Sequence, residues 1–328
     1  FSVKNLLRLH VSKSSSKSRK RFRSKMSTKT KVSQAFAKVI ESLRLQMFAK
    51  AMPGLGPLNA AFQQVDWAGS GVVSRLDFND VLNYIGMFLT EQNITTVQKF
   101  FASNPNDVKI TATIPIAGFM DQLCVALNER RNGMVNKAWS TLTGTDEIAT
   151  DSMCSSYNAS NHIYVRQGTQ SPEELLNAFR SGFFESFVTK NDFVTYYTDL
   201  SASIPRDSFF VQLLEDTWSI KEEETAVDKQ RMNFLATLLK EKVRQKAKDG
   251  KAGAVLLKSS FDFFDVDDAN KLTKSEFYEA NAHFGLQLTD KDVNDYYYLY
   301  GTPEGTISIT LFSKEMYNGT FDEKVTNA

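Results

Sequence analysis

Residues 265–276 read Asp265-Val266-Asp267-Asp268-Ala269-Asn270-Lys271-Leu272-Thr273-Lys274-Ser275-Glu276, with Phe261 and Phe264 ahead and Phe277 behind. A twelve-residue calcium loop between two helices needs oxygen ligands at positions 1, 3, 5, 7 and 9. It also needs a turn residue that tolerates positive φ at 6 and a bidentate Glu at 12. Asp265, Asp267, the Lys271 carbonyl, Thr273 and Glu276 meet the demands at 1, 3, 7, 9 and 12. Ala269 at position 5 has no side-chain oxygen, so water must fill that place. Asn270 at position 6 is the next-best residue to Gly for a left-handed turn. Leu272 at position 8 suits the short strand that pairs neighbouring loops. Calcium affinity on the order of 10⁻⁴ M is expected here, at the weak end of the range.

The neighbourhood recurs 199 residues earlier without gaps. Phe62, Val65, Asp66, Asp77, Phe78, Gly86, Leu89 and Thr90 align with Phe261, Phe264, Asp265, Glu276, Phe277, Gly285, Leu288 and Thr289. Gly54 aligns with Gly253. An internal repeat decides architecture more firmly than any one motif. Thr289 followed by Asp290 and Asp292 reads as an N-cap with acids in the first turn. In the earlier loop Asp66, Ser70, the Val72 carbonyl, Ser74 and Asp77 are the candidate ligands, with Gly71 at position 6. Ala68 contributes nothing, and Asp77 is one methylene too short to chelate comfortably, so the loop is the weaker calcium candidate, with magnesium or no ion as the alternatives.

Four more units fit between and after these two. Their expected strand residues are Ile114 (loop about 104–118), Ile148 (142–153), Val188 (181–192) and Ile307 (300–311), alongside Val73 and Leu272. The sixth keeps Gly305 but puts Tyr300 and Leu311 at positions 1 and 12. Six units pair as one–two, three–four and five–six. The expected fold is all-α, with short antiparallel β-bridges between paired loops and two lobed regions joined by a long helix. The expected boundaries are a disordered basic tail at 1–40, pairs at 41–135 and 136–220, a connector at 221–250, a third pair at 251–320 and a tail at 321–328. In the connector, Val227, Phe234, Leu235, Leu238, Leu239 and Val243 approximate one apolar face. Glu222–Glu224 and Lys240–Lys248 complement a helix dipole. Such a basic helix serves either as a target for a calmodulin-like partner or as a linker packed on its neighbouring lobe.

Composition limits function. The 328 residues are 42% hydrophobic and 12% aromatic, enough for more than one packed core. No run approaches the roughly 18–20 apolar residues of a membrane helix. Two cysteines, Cys124 and Cys154, do not make a disulfide framework. Residues 1–40 hold twelve Lys/Arg and no acid, against 27 basic and 38 acidic residues in the remainder. Three readings of the basic segment stay open: an arm for an acidic partner such as tubulin, RNA or membrane; an organelle transit segment; or sequence preceding a start at Met26. The acidic body argues against a folded nucleic-acid site. His10, His162 and His283 lie in no nucleophile arrangement, and no phosphate loop occurs, so an enzyme is not expected.

The stretch Phe193-Val194-Thr195-Tyr196-Tyr197-Thr198-Asp199-Leu200-Ser201-Ala202-Ser203-Ile204, continuing to Phe210 and Trp218, resembles the segment after the fourth hand of calcyphosins. Met52-Pro53-Gly54-Leu55-Gly56 with Phe62, Val65 and Asp66 resembles their first hand. The similarity covers about 40–220 as a four-hand module, and 230–320 resembles half of a second one. It implies EF-hand architecture, calcium-binding ancestry and no enzymatic activity. Because calcyphosin-like proteins include ciliary and flagellar components, it further implies an axonemal place, with tubulin and other axonemal proteins as partners. Hands two, three, four and six depart from the family's working loops by lacking their carboxylates. A calcium sensor acting through 265–276 is the competing reading.

Overall fold

The computed structural model describes residues 28–318 apart from 107, 108, 110, 143, 224–226 and 247–252. The chain is all-α, with three two-stranded antiparallel ribbons that each join a pair of loops. In the first pair, α1 (Thr28–Ala49) precedes the hand α2 (Gly56–Val65), β1 (Val72–Val73), α3 (Arg75–Tyr84). The hand α4 (Glu91–Phe101), β2 (Ile114–Pro115), α5 (Ile116–Leu123) follows. The middle pair is α6 (Glu129–Leu142), β3 (Glu147–Ala149), α7 (Thr150–Ser156), then a 3₁₀ turn, α8 (Ile163–Arg166), α9 (Pro172–Ser181), β4 (Phe187–Thr189) and α10 (Lys190–Ser201). It is closed by α11 (Asp207–Trp218). The last pair is α12 (Lys229–Lys246), α13 (Gly253–Asp262), β5 (Lys271–Leu272), α14 (Lys274–His283), α15 (Asp290–Tyr300), β6 (Ile307–Ser308) and α16 (Ile309–Asn318).

The expected strand residues face one another: Val73 with Ile114, Ile148 with Val188, and Leu272 with Ile307. All of these except Ile148 are buried, so each ribbon is pinned by a β-branched or Leu side chain driven into its own core. Caps set the helix starts. Thr90, Thr189, Thr273 and Thr289 each accept from the backbone N–H three residues on.

Each pair has its own aromatic-rich core. Phe62, Phe78 and Phe119 centre the first; Phe179, Phe193, Tyr197, Phe210 and Trp218 the second; Phe261, Phe277, Tyr296 and Phe312 the third. Full burial of one such ring contributes about 1.5–3 kcal/mol, so each core can hold its pair together. Gly54, at φ +80, lies where the first core meets α10; a Cβ there would sit 2.8 Å from the Leu200 backbone nitrogen.

Three boundaries and one helix-end contact differ from expectation. The basic tail does not extend to 40: α1 begins at Thr28, because Phe36, Val39, Ile40, Leu43 and Met47 recur at helical spacing and enter the first core. The remainder of that segment, 1–27, and the tail at 321–328 lie outside the described residues. A division at 135/136 would cut α6, whose Met134 and Val135 belong to the second core. The connector helix spans Lys229–Lys246 rather than 221–250, and it packs as a wall of the third core, in keeping with a linker packed on its neighbouring lobe. Its inward face is Met232, Leu235, Leu239 and Val243, whereas Phe234 is 57% exposed. Glu222 caps no helix; it pairs with Arg130 at 2.7 Å and accepts from the Tyr298 hydroxyl.

Candidate metal centre

In the fifth loop, buried Phe261 and Phe264 fix the end of α13 against the third core, which draws Asp265 in until it is 3% exposed. Its two carboxylate oxygens accept from the Ala269 N–H at 3.0 Å and the Asn270 N–H at 2.8 Å. Asp267 also accepts from the Ala269 N–H, at 3.2 Å. Asp268 and Asn270 both adopt φ +61, the left-handed conformation expected at position 6. The Asn270 amide oxygen accepts from the Thr310 hydroxyl and its carbonyl from the Ile309 N–H, which ties the loop to the sixth hand. Burial, and then the neighbouring Asp267, push the Asp265 carboxyl up to about 7.

Glu276 is turned to the backbone. One oxygen accepts from the Thr273 N–H and hydroxyl at 2.9 and 2.8 Å, completing a capping box, and the other from the Val266 N–H at 3.0 Å. The carboxylate thereby bridges the start and end of the loop. The Lys271 side chain points away from the loop, to Glu41 and Glu304. Asp265 and Asp267 stand together, while Thr273 and Glu276 are engaged with one another. Among the described residues no three Asp, Glu, His or Cys side chains converge as a metal cluster. The donor set is all oxygen and sets the buried Asp265 carboxyl against the exposed Asp267 carboxylate, so it fits calcium chemically. Asp265, Asp267, Thr273, Glu276 and the Lys271 carbonyl would hold the ion, and Glu276 must leave its cap to chelate.

The first loop has the same trace and the opposite chemistry. Gly71 takes φ +74 at position 6. Asp66 accepts from the Ser70 N–H and hydroxyl at 2.8 and 2.7 Å and from the Gly71 N–H at 2.7 Å. The Ser70 hydroxyl and these amides hold the Asp66 carboxyl below its ordinary value. Ser74 and Asp77 close on each other at 2.7 Å, and Ser70 also lies 3.0 Å from the Val72 carbonyl. Every expected ligand is matched to a partner within the loop. With Ala68 silent and the Ser70 hydroxyl spent on Asp66, this loop offers a metal less than the fifth does.

The remaining loops are corners built from other groups. The fourth ends in a Thr189–Asp192 capping box. The sixth turns at Gly305, φ +73, and places Glu304 against Arg44 and Lys271. The Ser201–Ile204 stretch has a definite use: Arg131, fully buried, donates to the Ser201 carbonyl and hydroxyl, to the Ile204 carbonyl and to Asp207 at 2.7 Å. Burial lowers the Arg131 guanidinium to about 10, with Asp207 opposing the shift. Trp218 donates to the Tyr197 hydroxyl at 2.6 Å. Nothing local in the sequence singles out Arg131, whose partners lie 70 to 76 residues away. Cys154 is buried and Cys124 half-buried, and burial raises both thiols.

No family model matches the chain. It is similar to crustacean calcium-binding protein 23 of Faxonius limosus, with 26% identity over 186 residues, an alignment that takes in 55% of this chain and 90% of that protein. The likeness supports an EF-hand-like, calcium-binding family. The paired helix–loop–helix corners give it a physical basis, since each ribbon joins the loops of two neighbouring units. None of the described helices is long and apolar enough to cross a membrane.

Proposed function

We propose that the chain is a non-enzymatic, calcyphosin-like EF-hand adaptor, in which most hands serve as metal-free corners and the fifth loop alone takes calcium. The observation that carries this reading is the contrast between the two repeat copies. Asp66 is saturated by its own loop, whereas Asp265 is buried beside Asp267 with a raised pKa. Lobes that need no ion to keep their shape suit a scaffold, because only a loop that binds calcium can drive a hand open. The resemblance of the Tyr196–Ile204 stretch to calcyphosins supports an axonemal place, on or inside doublet microtubules, with tubulin and other axonemal proteins as partners.

Co-sedimentation of the full chain with salt-washed axonemes tests the adaptor reading. Retention independent of calcium is expected; a chain that stays in the supernatant with and without calcium contradicts it. A second reading, a calcium sensor working through 265–276, is favoured by the same Asp265–Asp267 pair. It requires axoneme or partner binding to change at least about tenfold between chelator and millimolar calcium, a coupling of roughly 1.4 kcal/mol.

A further inference from the structure

The fifth loop does more than face the sixth; its outer side is covered by α1, from the opposite end of the chain. Lys38, Glu41 and Arg44 recur every three residues and so share one side of that helix. They meet charges of opposite sign in the same order. Lys38 lies 2.6 Å from Asp268, Glu41 3.2 Å from Lys271, and Arg44 2.8 Å from Glu304. Asp268 and Lys271 are positions 4 and 7 of the fifth loop, and Glu304 belongs to the sixth. Beside these pairs opens a cleft of about 610 Å³, lined also by Asp265, Asn270, Lys258, Asp262 and Lys314. Glu41 is 4% exposed, and its second carboxylate oxygen has no hydrogen-bond partner.

We propose that this face of α1 is an intramolecular clamp on the fifth and sixth loops, released when the fifth loop takes up calcium. The inference rests on the reading of 265–276 as the calcium loop. A bound cation would take the Lys271 carbonyl at position 7 as a ligand and so bear on the loop backbone that carries the side chains at positions 4 and 7. Those are the two side chains that α1 holds. The ion also places two positive charges beside the Lys38 ammonium, so calcium and Lys38 oppose one another. Linkage makes the opposition reciprocal: a clamped α1 weakens calcium binding by the same factor by which calcium loosens the clamp.

The rest of the third lobe stays anchored when α1 lets go. On the side facing α11, Arg206 and Glu315 form an ion pair with both side chains 5% exposed. Asp207 donates its N–H to the Gly301 carbonyl at 3.0 Å, and Ser208 its hydroxyl to the Leu299 carbonyl at 2.6 Å. The Lys38–Asp268 pair, by contrast, is more than two-fifths exposed on both sides. Such pairs are weak and screened by salt. Glu41–Lys271, with side chains 5% and 16% exposed, and Arg44–Glu304, at 12% and 37%, are better shielded, so Lys38–Asp268 is the pair of the clamp that gives way first.

Hydrogen exchange of the full chain, with chelator and with millimolar calcium, tests the clamp. Calcium is expected to slow exchange in 265–276 and to speed it in residues 38–46 by roughly two- to fivefold, the range that one exposed ion pair carries. Without calcium, D268N is expected to speed exchange in 38–46 to a similar extent, because position 4 is not a ligand. In K38Q, calcium binding is expected to tighten about threefold or more. If the loop responds to calcium while 38–46 does not, the clamp is wrong and the calcium loop stands. If neither responds, both are wrong. If D268N leaves 38–46 unchanged, these pairs do not hold the helix and the clamp is overturned on that ground alone.

Discussion

The first and fifth loops share a backbone and differ in what their leading aspartate faces. Asp66 is partly exposed and accepts three hydrogen bonds from Ser70 and Gly71. Asp265 is buried and faces another carboxylate. A loop whose oxygens are already matched is a stable corner that a metal cannot improve. One that holds a buried carboxyl against a second, exposed carboxylate is poorly satisfied by itself and gains from a cation. On the proposed reading, the helix–loop–helix fold is kept where the metal is not. The stability of the corners comes from aromatic cores and caps that both copies keep.

That comparison makes equal demands on the two cores and unequal ones on the two loops. The largest effects belong to the cores. Phe62 and Phe261 are corresponding, fully buried residues, so F62A and F261A should each cost about 3–5 kcal/mol in urea unfolding. A much cheaper F62A would show that the first pair is not held by its core. Next comes position 5. A269D supplies the missing oxygen and should tighten calcium binding by about an order of magnitude or more in a calorimetric titration. A68D in the first loop should create no site, because Asp66 and Ser70 remain engaged with each other. Smaller again is the turn. Gly71 is at φ +74 with open space around a would-be Cβ, so G71A carries only backbone strain, about 1–2 kcal/mol in thermal or urea unfolding. G71N should cost less, since Asn270 already adopts that conformation.

The smallest effects are those of pH, and their signs differ. Asp66 titrates below its ordinary value, so the stability its loop bonds contribute is present above the ordinary carboxylate range and is lost only as pH falls through the lowered value. Asp265 is raised to about 7, chiefly by burial. The fold therefore prefers that carboxyl protonated, and the metal-free third pair should become more stable as pH falls from above 7 toward 4. Calcium uptake near neutral pH should then release protons, seen as a binding heat that varies with the ionisation enthalpy of the buffer. Backbone amide shifts of Gly71 and Asn270 followed through an acid titration report the two signs separately.

Much of this was legible in the sequence because its signals are local. The expected strand residues Val73, Ile114, Ile148, Val188, Leu272 and Ile307 announce the three ribbons, and Thr289 announces α15. Ala269 and Asp77 reveal damage to the metal sites through chemistry alone. What stayed hidden depends on pairing across the chain. The onset of α1 at Thr28 was masked because its apolar stripe from Phe36 to Met47 starts within a basic segment. Met232 rather than Phe234 faces the third core because α12 is rotated by the neighbours it packs on. The engagement of Asp66, Ser70, Ser74 and Asp77 with one another follows from side-chain rotamers, which spacing does not encode. Arg131 with Asp207, and the α1 face with the fifth loop, join residues too far apart for any local pattern to show.

The account turns on where the chain accepts calcium, and a calorimetric titration of the full chain, E276Q and D77N tests this most directly. One site is predicted, weakened at least about tenfold by E276Q, which removes a charged ligand oxygen, and unchanged by D77N. Calcium binding that survives E276Q, or that disappears with D77N, would contradict the account.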